Sequence, residues 1–179
     1  IIDGLKTTLI VTFLALILGL IIGALVAVVR TSYSSMREEN KRGLGGLLLK
    51  IADIICRVYL TIIRGTPALV QLLIMYFIIL NSPEFTKTVV AVVTFGINSG
   101  AYVAEIFRSG ILSVDVGQME AGRSLGLGYV DTMTQIVMPQ AMKNCLPALV
   151  NEMIALLKET SICGYIGLNA LTRGGDIIR

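Results

Sequence analysis

The sequence predicts an all-α protein, a polytopic bundle of transmembrane helices. Of its 179 residues, 55% are hydrophobic and only 15% charged, well away from the balance of an ordinary soluble domain. Residues 9–29 form one uninterrupted uncharged run. At about 1.5 Å of rise per residue, such a run crosses a hydrocarbon core of roughly 30 Å. Further segments of the same kind follow, which sets aside a single buried helix of a soluble protein. The run also leads into a charged loop rather than into the small-residue site that ends a signal peptide.

Four spans can be placed, at 5–30, 48–80, 87–112 and 132–161, within a single transmembrane domain over 1–179. In the first, Gly19 and Gly23 form a GxxxG pair that lets another helix approach closely, a weak motif that reports packing within the protein. Arg30, Arg37, Lys41, Arg42 and Lys50 gather in the loop that follows, against Glu38 and Glu39. That basic excess puts the loop in the cytoplasm. The start of the chain and the turn at 81–86 then face outward, and the loop carrying Glu120 faces the cytoplasm.

On the second span Arg57, Thr61, Arg64 and Gln71 lie close to a common stripe, and Pro67 interrupts it. Proline lacks a backbone donor and clashes with the preceding turn. With Gly65 and Thr66 beside it, a local break is expected, of the kind tolerated where protein or a wet cavity receives the exposed backbone. Arg64 reads as a gate or as a structural clamp, and the sequence favours the clamp. On the third span Asn98, Tyr102, Glu105 and Ser109 recur at spacings of four, three and four, which makes one stripe of a helix. Two readings stay open. Either Asn98 and Tyr102 offer neutral hydrogen-bonding groups along a transport pathway, or the stripe ties helices together, with Glu105 snorkelling or pairing with Arg108.

The loop at 120–139, EAGRSLGLGYVDTMTQIVMP, is polar and punctuated by glycine between two hydrophobic segments. Glu120 and Ala121 open it, Gly126 follows six residues after Glu120, and Ile136 and Pro139 close it. It resembles the EAA loop of ATP-binding-cassette (ABC) importer permeases, with a cytoplasmic coupling helix near 116–129. Gly122 stands where a second alanine is usual and Met138 where leucine is usual; each keeps the position small or apolar. The stretches RGTPALVQ (64–71), NSGAYVAEIFRSGILSVDVGQME (98–120) and NEMIALLKETS (151–161) look like the polar amino acid branch of those permeases.

The resemblance implies a type I importer permease of about five helices, four of them visible here, in a bacterial-type cytoplasmic (inner) membrane. No fifth apolar run follows the fourth span. Its implied partners are ABC ATPase subunits carrying ATP and Mg, a second permease copy or homologue, an extracytoplasmic amino-acid-binding protein, the amino acid and membrane lipid. Glu120, Arg123 and neighbouring polar groups would face the ATPase, while Ala121, Gly122, Leu125 and Gly126 form a close-fitting apolar knob. Asn144, Asn151 and Lys158 share a face of the fourth span, and Glu152 and Glu159 the adjoining one. A zwitterionic amino acid needs an anion for its ammonium group, which Glu159 can supply beside the hydroxyls of Thr160 and Ser161. Alternatively, Lys158 and Glu159 neutralise each other or other helices at the interface. The intramembrane carboxylates make a basic amino acid attractive, with glutamine and histidine open.

Other classes lose support. The chain has no histidine, and Cys56, Cys145 and Cys163 are widely separated, so there is no CxxC pair and no histidine-based metal site. No GxxxxGK[ST] sequence occurs, so the chain supplies no P-loop and is expected to bind no cofactor itself; Gly174 and Gly175 read as a turn. A net charge of +3 is too small to argue for nucleic acid. A membrane enzyme would need a nucleophile and base or a metal cluster. The remaining alternative is a secondary transporter driven by an ion gradient, with Glu105 and Glu159 as its ion sites.

Overall fold

The computed structural model describes residues 2–35 and 44–168. Arg37, Glu38, Glu39, Lys41 and Arg42, and the pair Gly174 and Gly175, lie outside the described residues. Helix α1 (Ile2–Ser35) has 34 residues, about 50 Å at the helical rise, and so outruns a hydrocarbon core of roughly 30 Å. Val11, Ala15, Gly19, Gly23 and Ala27 recur every four residues along its buried side. Phe13, Ile21, Leu25 and Val28 point away from the bundle and stay exposed, as side chains that face lipid would.

The buried ridge of α1 lies on α4 (Lys87–Leu112), whose first turn is capped by Thr86, its hydroxyl accepting from the Val89 N–H at 3.3 Å. The two helices approach to backbone contact. A Cβ at Gly23 would lie 2.5 Å from Val103 Cγ1 and 2.9 Å from the Ala104 nitrogen. On the facing helix Gly96 and Gly100 meet Leu18 and Ile22, a Cβ at Gly100 reaching 2.8 Å from Ile22 Cγ2. A second GxxxG pair, on α4, thus receives side chains of α1 as the pair on α1 receives those of α4. In a bilayer, where lipid tails are as apolar as leucine, this close fit is what draws helices together.

The second span is not one straight helix. Helix α2 (Leu44–Gly65) and α3 (Ala68–Ile74, with a wider π-helical turn over Met75–Ile79) meet at 107° across Gly65–Pro67. The break expected at Gly65–Pro67 is present, because Pro67 enters α3 in an extended conformation (φ −63°, ψ 138°) and donates no backbone bond.

The short helix α5 (Val116–Ser124) is followed by a continuous helical stretch made of α6 (Tyr129–Thr132), a π-helical turn (Met133–Val137) and α7 (Met138–Glu159). The helical stretch that holds the expected fourth span begins at Tyr129, and its last α-helical residue is Glu159. Ser161 belongs to a 3₁₀ turn, Thr160–Ile166. The wide turn sits just before Pro139, whose ring would clash with the carbonyl four residues back in a regular helix. Helices α1 and α4 are long and apolar enough to cross a membrane, and α2–α3 makes a third crossing if the bent pair is one span. Helix α7 carries Lys143, Glu152, Lys158 and Glu159 and does not reach that measure.

Three apolar clusters lie along the bundle. Phe95, Leu72, Val11 and Leu156 centre one, Leu60, Ala101 and Ala104 the next, and Val114, Val137 and Ala141 the third, beside α5.

Candidate functional site

The break at Gly65–Pro67 is held by side chains, and the reason is local. A helix end leaves its last carbonyls without partners, and Pro67 removes the N–H that would have served Ile63. Gln71, one turn into α3, donates from Nε2 to the Ile63 carbonyl at 2.7 Å and to the Thr66 hydroxyl at 2.7 Å. Thr66 in turn donates to the Ile62 carbonyl at 2.8 Å. The Gln71 carbonyl oxygen accepts from Asn98 Nδ2 at 2.9 Å, which ties the bend to the centre of α4. Asn98 is only 3% exposed. Tyr59, on α2, adds a bond from its hydroxyl to the Ile97 carbonyl at 2.5 Å. The bonds that clamp the break are thus those of Gln71 and Thr66. Arg64 has a different place: its guanidinium carbon lies 5.6 Å from the centre of the Tyr102 ring, a cation–π distance.

Below Tyr102 the same stripe meets an ionic cluster. Glu105 accepts from Arg30 Nη1 at 2.5 Å and from Arg108 Nε at 3.2 Å, and Arg64 Nη1 stands 4.0 Å away. Asp53, 4% exposed at its side chain, takes Arg57 Nε at 2.7 Å and faces Arg30 Nε at 3.8 Å. The cluster joins α1, α2 and α4. Ser109, last of the stripe, donates to its own helix at Ile106.

The fourth-span residues occupy a separate level. Ser99 donates to Glu152 Oε1 at 2.8 Å, joining α4 to α7. Thr160 is buried and donates to the Leu157 carbonyl of its own helix at 2.7 Å, Glu159 is half-buried, and Lys158 and Ser161 are exposed. Among the described residues, no hydrogen bond or ion pair joins Glu159 to Asn98 or Tyr102. Sequence periodicity singled out Asn98, Tyr102 and Glu105 but passed over Arg30, Asp53 and Ser99. Arg30 ends the apolar run of α1, Asp53 lies one turn before Arg57 and Ser99 lies beside Asn98; their partners across the bundle mark them.

Helix α5 is built as a rigid exposed element. Asp115 caps it, accepting from the Gly117 N–H at 2.7 Å. It ends in a paired turn, Leu127 N–H to the Gly122 carbonyl at 3.1 Å and Gly126 N–H to the Arg123 carbonyl at 3.0 Å. This Schellman arrangement requires the left-handed backbone of Gly126, φ 86°. Gly122 is buried against the next helix: a Cβ there would lie 2.5 Å from Thr132 Cγ2 and 3.0 Å from Ile136 Cδ1. The glycine in place of alanine is thus what this packing demands. Glu120, Ala121 and Arg123 are exposed, and Leu125 is 83% exposed. Gln140 Nε2 lies 3.3 Å from Gln118 Oε1 and Asn144 Nδ2 2.8 Å from Ser113 Oγ, so α7 is bonded to α5 and to the end of α4. Pro139 is exposed near the start of α7.

Residues 44–179 match the family model described as the inner membrane component of binding-protein-dependent transport systems. The chain belongs to that family. It is accordingly a permease of the ABC transporter type, a multi-pass helical protein of the inner membrane. The permease is 39% identical over 180 residues to the glutamine transport system permease protein GlnP of Escherichia coli K12, covering 99% of this chain and 75% of that protein. The GlnP of Shigella flexneri matches to the same extent, at 39% over 180 residues. Among solved structures, an amino acid ABC transporter crystallised with histidines matches with a TM-score of 0.84 at 42% identity, over 99% of this chain and 76% of that one. The inward-facing methionine transporter MetNI matches with a TM-score of 0.74 at 21% identity, over 97% and 77%, a likeness of fold alone.

Proposed function

We propose that this permease carries a polar amino acid, glutamine or a relative of it, inward across the membrane, driven by ATP hydrolysed with Mg on separate ATPase subunits. The observation that carries the reading is the similarity to glutamine permeases along 99% of the chain, with the broken second span and the α5 loop both inside it. An extracytoplasmic binding protein delivers the solute, and a second permease, identical or homologous, completes the membrane pathway.

The geometry supports a mechanism. The ATPase grips the exposed face of α5, at Glu120, Ala121, Arg123 and Leu125. Because Gly122 seats α5 on Thr132 and Ile136 without a gap, α5 and the start of the long helix move together. That helix carries the displacement to α4 through Asn144 and Ser113 and through Glu152 and Ser99. Closure of the two ATPases then tilts α7 and α4 and switches access between the two sides. Asn98 and Tyr102 line the pathway on α4, with Glu105 towards the cytoplasm. Glu159 receives the ammonium group at the outer level, assisted by Thr160, Ser161 and Lys158, and the bend at Arg64, Gly65 and Pro67 is the part of the wall that yields.

The deciding experiment is uptake of labelled arginine, glutamine and histidine by liposomes holding the full-length permease with its ATPase and binding protein, with and without ATP. ATP-dependent uptake that disappears when 120–126 is deleted establishes the coupling and ranks the substrates. Uptake that needs no ATPase and follows an ion gradient would overturn it.

A further inference from the structure

We infer that the arginine-lined cavity on the cytoplasmic side of the Gly65–Pro67 break binds a carboxylate, the α-carboxylate of the amino acid in transit; this rests on the amino acid reading above. The cavity has a volume of about 470 Å³ and is lined by Arg30, Arg57, Arg64 and Glu105 together with Leu60, Thr61 and Gly65. That size falls in the range of small-molecule sites.

The charges around it do not balance. Four guanidinium groups, of Arg30, Arg57, Arg64 and Arg108, share two carboxylates, of Asp53 and Glu105, leaving an excess of two positive charges among the described residues. Arg57 bonds Asp53 through Nε alone, and its side chain is 62% exposed. Arg64 has only the 4.0 Å approach to Glu105, and its side chain is 44% exposed. The Arg30 Nε is buried without a hydrogen bond. Charge within a membrane is costly, so a net excess shared among paired arginines marks an ion path or a wet cavity. The planar fork of a guanidinium matches a carboxylate with two parallel bonds. Place along the stripe identifies the source. Arg64 lies against Tyr102, one turn from Asn98 on α4, so a solute moving inward from Asn98 and Tyr102 meets these guanidinium groups next.

The test uses the complete transporter in nanodiscs of phosphatidylcholine, with Thr61→Cys placed in the cavity and Cys56→Ser to lower the background. The rate of labelling by an anionic methanethiosulfonate is read with glutamine, with propionate, and with glutamine whose carboxylate is replaced by a primary amide. Glutamine and propionate are expected to slow labelling saturably and the amide to leave it unchanged. Arg57→Gln should raise the half-protecting concentration about tenfold. Arg64→Gln, which removes the long ion pair and the contact with the Tyr102 ring, should do the same if the loss of Arg57 disturbs folding. Equal protection by glutamine and its amide, or protection untouched by either substitution, would overturn the inference. Protection that arises only in phosphatidylglycerol discs and ignores free carboxylate would assign the anion to a lipid phosphate and overturn it too. Uptake by the wild-type transporter separates the two levels: uptake without protection sinks the carboxylate site alone, whereas no ATP-driven uptake of any labelled amino acid sinks the proposed function and this site with it.

Discussion

Helix α1 and the α2–α3 arm both lie against α4, but the balance of contacts differs between them. Along α1 the contact is mainly steric, with one ion pair from Arg30 to Glu105: Gly19 and Gly23 receive Ser99 and Val103, Gly96 and Gly100 receive Leu18 and Ile22, and no side chain larger than hydrogen fits at Gly23 without displacing Val103 or the α4 backbone. The arm packs Leu60 and Leu72 into apolar clusters shared with α4 and adds directional groups, Gln71 to Asn98, Tyr59 to Ile97, and Arg64 beside Tyr102 and Glu105. A close-packed seam has one fitting arrangement, because small shifts lose many contacts at once. A few hydrogen bonds and ion pairs can be broken and remade singly. The comparison teaches where this permease relies on close steric fit and where it adds bonds that can be tested one at a time.

The largest expected effect comes from filling the seam. Gly23→Val should cost about 3 kcal/mol or more, since overpacking meets backbone as well as side chain. It should reduce the folded fraction recovered in detergent and lower the thermal unfolding midpoint. A normal midpoint would show that the seam yields like the arm. Next comes Gln71→Leu, which strands the Ile63 carbonyl and the Asn98 amide away from water, worth about 2 kcal/mol. The sharper readout here is transport: uptake should fall further than the midpoint does, because the bend loses its shape while the seam survives. Midpoint and uptake falling together would show that the arm is held as the seam is.

Gly122→Ala belongs to a third contact, small against buried threonine, and should cost about 1–2 kcal/mol with weakened ATPase stimulation. Adding Thr132→Ser, which removes the methyl group a Cβ would strike, should restore much of both. Failure of that rescue would show that Gly122 matters for something other than this packing. The smallest effect is expected for Gly126→Ala, about 1 kcal/mol for a left-handed residue at the end of α5. Limited proteolysis near 126 should report it as earlier cleavage, and an unchanged pattern would mean that the turn is not what holds α5 rigid.

By itself the sequence determined the membrane class, the existence of the apolar runs and the small-residue face of α1, because composition and periodicity act within one segment and need no partner. The interruption at Pro67 was legible for the same reason: a missing N–H is local. The stripe of Asn98, Tyr102 and Glu105 could be read as one face of a helix, but not what that face meets. Tertiary structure decided that Gln71 rather than Arg64 carries the clamping bonds, that Glu105 is shared by arginines from three helices, and that Ser99 reaches Glu152. It also decided how sharply the chain turns at that interruption, by 107°. Each of these depends on residues far apart in the chain, Arg30 and Glu105 being separated by 75 positions. Only the packing of α1 and α2 on α4 brings such groups within reach of a hydrogen bond, and no spacing along a single helix encodes that distance.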